Sequence, residues 1–328
     1  MQRILSIQSH VVSGYVGNRA ATFPLQLLGH EVDVINTVQF SNHTGYNTVR
    51  GTRFPDTHMR ELFAGLCNNG LHRGYTHLLA GYIGNSGNVR AVEEIARELK
   101  RANPGLVFVL DPVLGDDGAL YVPEELVPLY RDVLCPLADI ATPNQFEAES
   151  LTGLTIQSLE DARCACDKLH DLGIPSVVIT SFALKDDDEN LYLVGSELDK
   201  TTGRKHCFYI AFPRLHGYFT GSGDLFTALI TARHASIAPA MASTAAAEGE
   251  GEGQLGALAQ ACELATAAQA GVMRETQRFQ KETGVEVTSD NLRRGQRPSD
   301  MVRGFELRIV QSQKLITDPV LEFKAVSF

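Results

Sequence analysis

The four-residue stretch Gly221-Ser222-Gly223-Asp224 carries the strongest chemical signal in the sequence. Two glycines let the backbone turn so that successive N–H groups face one concavity. The apolar run over residues 225–230 is typical of a helix, whose positive end would face the same point. In this anion-binding turn, Asp224 could remove a hydroxyl proton while the amides hold negative charge. The alternative is an aspartate that caps a helix after a tight turn.

An acidic pair follows the apolar stretch over residues 106–110: Asp111 comes directly after it and Asp116 five residues later. Carboxylates at a strand end suit a hard cation, since proteins usually hold Mg²⁺ with one or two carboxylates together with phosphates and water. The alternative is a type I turn that begins with an aspartate.

A helix start is indicated at Thr142-Pro143-Asn144-Gln145, with Thr142 as N-cap, Pro143 in the first turn and Gln145 at the third position. That capping pattern leaves Glu147 unexplained. We expect Asn144 and Glu147 to project towards the same cleft as the acidic pair.

Two polar clusters near the N-terminus also follow apolar stretches: Ser9-His10 with residues 14–18, and residues 40–46. Hydroxyls, imidazoles and apolar side chains together suit a small, flat, polar ligand. A single histidine is more often structural than catalytic, but two such clusters at neighbouring strand ends favour a binding site.

The elements that must position these residues alternate between β and α patterns, which predicts a layered α/β domain with helices on both faces of a mostly parallel sheet. Ligands then bind beyond the carboxyl ends of the strands, where the candidate residues fall. The predicted strands cover residues 3–8, 31–38, 77–83, 106–112, 176–181, 191–196, 205–212 and 306–312. Helices are predicted over residues 89–102, after Asp224 and over 257–281, and residues 235–256 are predicted to be a flexible loop.

Composition narrows the class of protein. The chain has 328 residues and a net charge of −10, which argues against a general nucleic-acid-binding protein. No apolar stretch approaches the roughly 20 residues that a membrane helix requires, and the first residues read as a strand, not a signal peptide. The six cysteines are scattered, so we interpret them as reduced thiols and expect a cytoplasmic protein.

Several phosphate-binding signatures are missing. A Gly-Lys dipeptide, which the P-loop requires, does not occur, nor do the His-Arg-Asp and Asp-Phe-Gly signatures of protein kinases. Phosphate transfer by this chain would therefore need another scaffold.

Taken together, the motifs resemble those of the ribokinase-like superfamily and, within it, of the pyridoxal kinase family. The likeness covers nearly the whole chain and is carried by residues 6–10, 14–21, 39–46, 111–116, 142–149, 178–181, 221–224 and 306–312. The resemblance implies a three-layer α/β/α sandwich, one kinase domain over residues 1–328, and a homodimer. It also implies ATP with Mg²⁺ and a monovalent cation, K⁺ or Na⁺.

Residue by residue, the resemblance implies that Asp224 deprotonates the 5′-hydroxymethyl group of pyridoxal, and that the anion hole consists of Gly221, Ser222 and Gly223. The residues at the vitamer would be Ser9, Val16, Phe40, His43, Thr44 and Tyr82. Those at ATP would be Asp111, Asp116, Tyr121, Asn144, Glu147, Thr180, Ser181, Leu215, Gly217, Thr220, Gly221 and Ser222. Mg²⁺ would be held, through water, by Asp116 and Glu147, and the monovalent cation by Asp111, Thr142 and Thr180.

The expected function is that of an ATP-dependent pyridoxal kinase, which phosphorylates pyridoxal, pyridoxine and pyridoxamine in vitamin B6 salvage and makes pyridoxal 5′-phosphate from pyridoxal. The alternatives are a hydroxymethylpyrimidine kinase and a catalytically silent B6 carrier. Residues 117–121 are the predicted closing segment, although only four residues separate Asp116 from Tyr121. Ser222 stands where this family usually has threonine.

Overall fold

A computed structural model describes residues 2–116, 118–248, 256–282, 284 and 299–328. Over these residues, ten strands form one sheet in the order β12-β11-β10-β9-β8-β5-β4-β1-β2-β3, and a separate hairpin joins β6 to β7. The strands are β1 (Arg3–Val11), β2 (Glu31–Phe40), β3 (Gly51–Arg53), β4 (His77–Ala80), β5 (Val107–Leu110), β6 (Gly115–Asp116), β7 (Ala119–Leu120), β8 (Ile140–Ala141), β9 (Ser176–Leu184), β10 (Asp187–Leu198), β11 (Lys205–Pro213) and β12 (Val326–Ser327).

The six strands from β2 to β9 in the sheet order are parallel, so their carboxyl ends meet at one edge. The remaining strands, at the two sides of the sheet, pair antiparallel. Because β4 and β5 are buried on both faces, β5 is continuously apolar and β4 is apolar after His77. The predicted mostly parallel sheet is therefore present.

Helices cover both faces of the sheet. They are α1 (Asn18–Leu27), α2 (Asp56–Asn68), α3 (Ser86–Ala102), α4 (Leu126–Leu129), α5 (Gln145–Thr152), α6 (Leu159–Asp171), α7 (Ser222–Glu248), α8 (Ala257–Glu282), α9 (Ser299–Gly304) and α10 (Gln313–Thr317). Helices α2, α3 and α6 contribute to one apolar core, and α1, α7 and α8 to the other, on the opposite face. In α3, for example, Val92, Ile95 and Leu99 recur at helical spacing and are all buried.

The loop predicted over residues 235–256 is wrong in its first part, because α7 continues to Glu248. This part is rich in alanine, the residue with the highest helix propensity, and that propensity outweighs the small, polar composition on which the loop prediction relied. Residues 249–255 lie outside the described residues.

The strand predicted over residues 306–312 is also wrong. Leu307 and Ile309 are buried, as the alternating pattern predicts, but the segment is not a strand of the sheet and ends in the 3-10 turn Val310–Ser312. The edge of the sheet next to β11 is occupied by β12 instead. The alternation of apolar and polar residues here comes from an extended segment that packs on helices.

Among the helices of the described residues, none combines the length and the apolar character needed to cross a membrane. The cysteines in these residues are all free thiols, in agreement with the interpretation of the sequence.

Candidate active site

The anion-binding turn forms where α7 begins. Gly221 has a φ of +84°, a conformation that favours glycine, and its carbonyl accepts the first helical hydrogen bond, from the N–H of Leu225. The N–H groups of Ser222, Gly223 and Asp224 therefore precede the intrahelical bonds of α7 and have no partner within the helix. This arrangement offers three backbone donors and the positive end of a long helix to an anion.

The loop between β1 and α1 packs directly on this turn. A Cβ on Gly221 would lie 2.1 Å from the carbonyl oxygen of Tyr15, and one on Gly17 would lie 2.2 Å from that of Ser9, so neither position has room for a side chain. The N–H of Gly17 donates a hydrogen bond to Asp224. Gly17 therefore contacts both Ser9, from the predicted vitamer site, and Asp224.

Asp224 is a half-buried acid on the first turn of α7. Loss of solvation raises its pKa to about 6, and the hydrogen bond from Gly17 opposes part of that rise. A pKa near 6 leaves the carboxylate ionised at neutral pH and basic enough to accept a proton, as a general base requires.

Asp111 follows β5 and is buried against the same helix. Its Oδ2 accepts a hydrogen bond from the Thr227 hydroxyl at 3.2 Å, and the Thr142 hydroxyl lies 2.9 Å from that of Thr227. Since Thr227 donates to Asp111, Thr142 must donate to Thr227. Burial and the charge of Asp224 raise the pKa of Asp111 to about 8.

Glu147 is a buried acid, and its part in starting helix α5 was not predicted from the sequence. The N-cap of α5 is Asn144, not Thr142 as predicted, and Glu147 closes a capping box with it: the N–H of Asn144 donates to Oε2 at 2.9 Å. The N–H of Leu114 donates to Oε1 at 3.0 Å. Threonine followed by proline resembles a helix start, but the helix begins two residues later, where Asn144 and Glu147 satisfy each other. Burial and the charge of Asp111 raise the pKa of Glu147 well above its usual value.

The hairpin formed by β6 and β7 lies beside the acidic group, by which we mean Asp111 and Glu147. The Asn144 side chain donates to the carbonyl of Gly115 at 2.8 Å, which ties the hairpin to the start of α5. Asp116 is exposed on β6, and Tyr121, directly after β7, is 41% exposed. The predicted closing segment is therefore largely this hairpin, and Asp117 lies outside the described residues.

The donor set fits a hydrated divalent cation. In the described residues, no group of three or more His, Cys, Asp or Glu side chains is arranged to ligate a metal ion. Both oxygens of Glu147 already accept backbone N–H groups, so this carboxylate would reach a cation through water, and Asp116 is exposed to solvent. One or two carboxylates with water and phosphate is the usual environment of Mg²⁺.

Among the residues predicted to bind the vitamer, His43 is buried. It lies 3.9 Å from Glu306 through Nε2, and Gly45 donates its N–H to Nδ1. The hydroxyl of Tyr46 donates to Glu306 at 2.8 Å, and a Cβ on Gly14 would lie 2.9 Å from the same carboxylate oxygen. Glu306, for which no role was predicted, therefore holds both N-terminal polar clusters together.

Two further residues predicted to bind the vitamer, Phe40 and Tyr82, both contact Arg53. Arg53, the last residue of β3, donates from Nη1 to the hydroxyl of Tyr82 at 3.1 Å. Its guanidinium carbon lies 5.1 Å from the centre of the Phe40 ring. Phe40 and Tyr82 are thus within reach of one side chain.

The other predicted site residues lie at the same edge of the sheet or on segments that lead to it. Val16 belongs to the loop that packs on Gly221, where its Cα would be 3.3 Å from an added Cβ. The Thr220 hydroxyl is buried and has no hydrogen-bond partner in the part of the chain that is described. Those without a described contact to the acidic group are exposed Thr44 on the β2–β3 loop, Thr180 and Ser181 on β9, and Leu215 and Gly217 before α7.

Sequence reasoning missed Thr227, Glu306 and Arg53, and it placed Gly17 in a polar cluster without predicting its hydrogen bond to Asp224. Thr227 was detectable, because it follows Asp224 by three residues and so shares its helix face. The other three act through contacts between distant segments, which no local spacing reveals.

A parallel sheet with a helix start that offers free backbone donors, a carboxylate with a pKa of about 6 within it and buried acids beside it defines a class of small-molecule kinases without a P-loop. Residues 77–249 match a family model described as phosphomethylpyrimidine kinase. Over 98% of its length the chain is 43% identical to the pyridoxal kinase of Arabidopsis thaliana, covering 94% of that protein, and 40% identical to the human pyridoxal kinase, covering 97% of it. The solved Leishmania donovani pyridoxal kinase in complex with ADP and pyridoxamine is 34% identical, with a TM-score of 0.84 and full coverage of both chains.

The chain belongs to the pyridoxal kinase family. This membership confirms the family, the fold class, the kinase class and the activity that the sequence predicted.

Proposed function

We propose that the chain transfers the terminal phosphoryl group of ATP to the 5′-hydroxymethyl oxygen of pyridoxal and of its relatives pyridoxine and pyridoxamine. The observation that carries this proposal is the position of Asp224, a half-buried carboxylate with a pKa of about 6 inside a turn of free backbone donors. Phosphoryl transfer needs positioning and charge screening more than covalent chemistry, and this turn offers both.

In this mechanism Asp224 accepts the hydroxyl proton as the oxygen attacks phosphorus, and the bond to the ADP oxygen breaks. The N–H groups of Gly221, Ser222 and Gly223 hold the negative charge on the transferred group. The vitamer ring lies among Ser9, Val16, Phe40, His43, Thr44 and Tyr82. The packing of the Gly17 loop on both Ser9 and Asp224 supports this role, because it couples ring position to the base.

ATP is held on the other side of the turn by the acidic group and its neighbours. The residues proposed there are Asp111, Asp116, Tyr121, Asn144, Glu147, Thr180, Ser181, Leu215, Gly217 and Thr220. A divalent cation, which we propose to be Mg²⁺ held through water by Asp116 and Glu147, screens the phosphate oxygens when bound. A monovalent cation, K⁺ or Na⁺, is assigned to Asp111, Thr142 and Thr180. Burial and the charge of a neighbouring acid raise the pKa values of Asp111 and Glu147, which supports cation binding because a bound cation would stabilise both ionised carboxylates.

A hydroxymethylpyrimidine kinase is the second candidate, since the matching family model carries a phosphomethylpyrimidine kinase description. The near-full-length identity to pyridoxal kinases favours the vitamer instead. We also propose that the chain is one kinase domain, forms a homodimer and works in the cytoplasm.

The test is product analysis by mass spectrometry after incubation with MgATP and an equimolar mixture of pyridoxal, pyridoxine, pyridoxamine and hydroxymethylpyrimidine. We expect the three B6 vitamers to gain one phosphoryl group each. Phosphorylation of the pyrimidine alone would select the second candidate. Tight vitamer binding without any product would instead identify a B6 carrier.

A further inference from the structure

Arg53 presents an exposed cation at the predicted vitamer walls. It ends β3, where it pairs with Val38 of β2, and its side chain leaves the sheet towards the end of β4. There its guanidinium donates to the Tyr82 hydroxyl at 3.1 Å and lies 5.1 Å from the Phe40 ring centre. Two contacts with aromatic groups fix the position of this charge.

Within the described residues, Arg53 forms no ion pair. No carboxylate of the described residues lies within ion-pair distance of it. By contrast, Arg3 and Arg60 each form ion pairs with acidic side chains. Arg53 therefore places a positive charge beside Phe40 and Tyr82 that no ion pair of the described residues offsets.

B6 vitamers differ in charge at one ring substituent. Pyridoxal carries an aldehyde and pyridoxine a hydroxymethyl group, both neutral, whereas pyridoxamine carries an aminomethyl group that is protonated near neutral pH. All three share the rest of the ring, so the ratio of their specificity constants isolates the effect of this group.

We propose that Arg53 is a specificity-determining residue that disfavours the cationic vitamer, pyridoxamine, relative to pyridoxal and pyridoxine. This inference rests on the proposed function and on Phe40 and Tyr82 lining the vitamer site. Like charges repel across a few ångströms, and the effect is moderate because Arg53 is exposed to solvent and salt. We expect the discrimination due to Arg53 to be about three- to tenfold in kcat/KM.

The experiment measures kcat/KM for pyridoxamine and pyridoxal in the parent, Arg53→Gln, Arg53→Lys and Arg50→Gln proteins. Glutamine removes the charge but can still donate to Tyr82, and lysine keeps the charge. Arg50 is also an exposed arginine on the same chain segment, without a described contact to either aromatic ring, and is the matched control. Each protein is assayed at low salt and at about 0.5 M NaCl, where exposed charges are screened.

We expect Arg53→Gln to raise the pyridoxamine-to-pyridoxal ratio about three- to tenfold at low salt, and high salt to move the parent in the same direction. Arg53→Lys and Arg50→Gln should keep the parent ratio. An unchanged ratio in Arg53→Gln, or equal losses for both vitamers, would show that Arg53 only supports Tyr82 and would overturn the inference. Failure of the parent to phosphorylate any vitamer would instead contradict the proposed function.

Discussion

The two edges of the parallel sheet both bury titratable groups, but of opposite kinds. At the carboxyl edge three acids with raised pKa values lie together: Asp224, Asp111 and Glu147. At the amino edge lie three histidines with lowered pKa values, His77, His30 and His234, and the latter two contribute to the lowered pKa of His77. Helix α7 connects the two edges, since it carries Asp224 on its first turn and His234 ten residues later.

The two edges differ in the free-energy cost of burying their titratable groups at neutral pH. A buried histidine is neutral there and can hydrogen-bond, as His30 does with the carbonyl of Ala232 at 3.2 Å. A buried carboxyl group must either hold a charge without solvation or keep a proton that water would remove. The unfavourable burial is thus concentrated at the carboxyl edge, where the proposed cations and the proposed proton transfer to Asp224 would give it a function.

The largest effect is expected from Asp224→Asn, which keeps the shape of the side chain and removes the base. Turnover should fall by roughly 10²–10⁴-fold, because asparagine cannot accept the hydroxyl proton. In the parent, kcat/KM should fall as the pH drops below about 6, since protonated Asp224 is no longer a base. Initial rates with pyridoxal between pH 5 and pH 8 would measure both effects.

Urea unfolding should confirm that Asp224→Asn is folded, and the variant should lose the acidic limb that the parent shows. A variant that is folded and turns over at a rate close to the parent would remove Asp224 from the proton transfer.

The next effect concerns the histidine edge. Burial lowers the pKa of His77 to about 4, with smaller contributions from His234 and His30. The unfolded chain takes up a proton near pH 6.5 and the native state does not, so the free energy of unfolding should decrease between pH 6.5 and 4. The single histidine accounts for about 3 kcal/mol at the acidic end of that window.

Urea unfolding at pH 7 and pH 4.5 would measure this loss in the parent and in His77→Gln, where glutamine does not titrate. The pH-dependent loss should be smaller by about 2 kcal/mol in His77→Gln. The matched control is His206→Gln at an exposed position, which should retain the full loss. Equal losses in all three proteins would contradict the assignment to the buried edge.

Much of this contrast could be predicted from the sequence at one edge and little at the other. The apolar strands with polar residues after them predicted the sheet and the acids at its carboxyl edge, because parallel strands end together. The histidine group escaped prediction, since His30, His77 and His234 are isolated in the sequence and meet only after the strands align.

Within the site, residue types were easier to predict than their hydrogen bonds. Asp111 and Glu147 were identified as cation candidates, but the capping box at Asn144 was not, because Thr142-Pro143 offered a competing helix start two residues earlier. The end of α7 was missed for a similar reason: high alanine content and small polar composition made opposite predictions for residues 235–248, and helix propensity prevailed.

The smallest expected effect is the change in the free energy of unfolding caused by Asp111→Asn at the carboxyl edge. Asp111 has a pKa of about 8 in the folded chain, so the native state keeps a proton that the unfolded chain loses near pH 4. The free energy of unfolding without nucleotide should therefore decrease as the pH rises from 4 to 8, and Asp111→Asn should lack that slope. At pH 7.5 the variant should be more stable by about 1–3 kcal/mol, because asparagine can still accept the Thr227 hydrogen bond and, unlike aspartate, does not ionise in the unfolded chain.

The matched control is Asp139→Asn near the amino edge, where Asp139 accepts hydrogen bonds from Lys100 at 2.6 Å and from the N–H of Phe108 at 2.7 Å. That variant should be less stable than the parent, since it weakens an ion pair and a charge-assisted hydrogen bond. Urea unfolding of the three proteins at pH 5.5 and 7.5 would measure these differences. A loss of stability in Asp111→Asn at pH 7.5 would mean that the ionised Asp111 carboxylate is favourably held even without a cation, contrary to the contrast between the two edges.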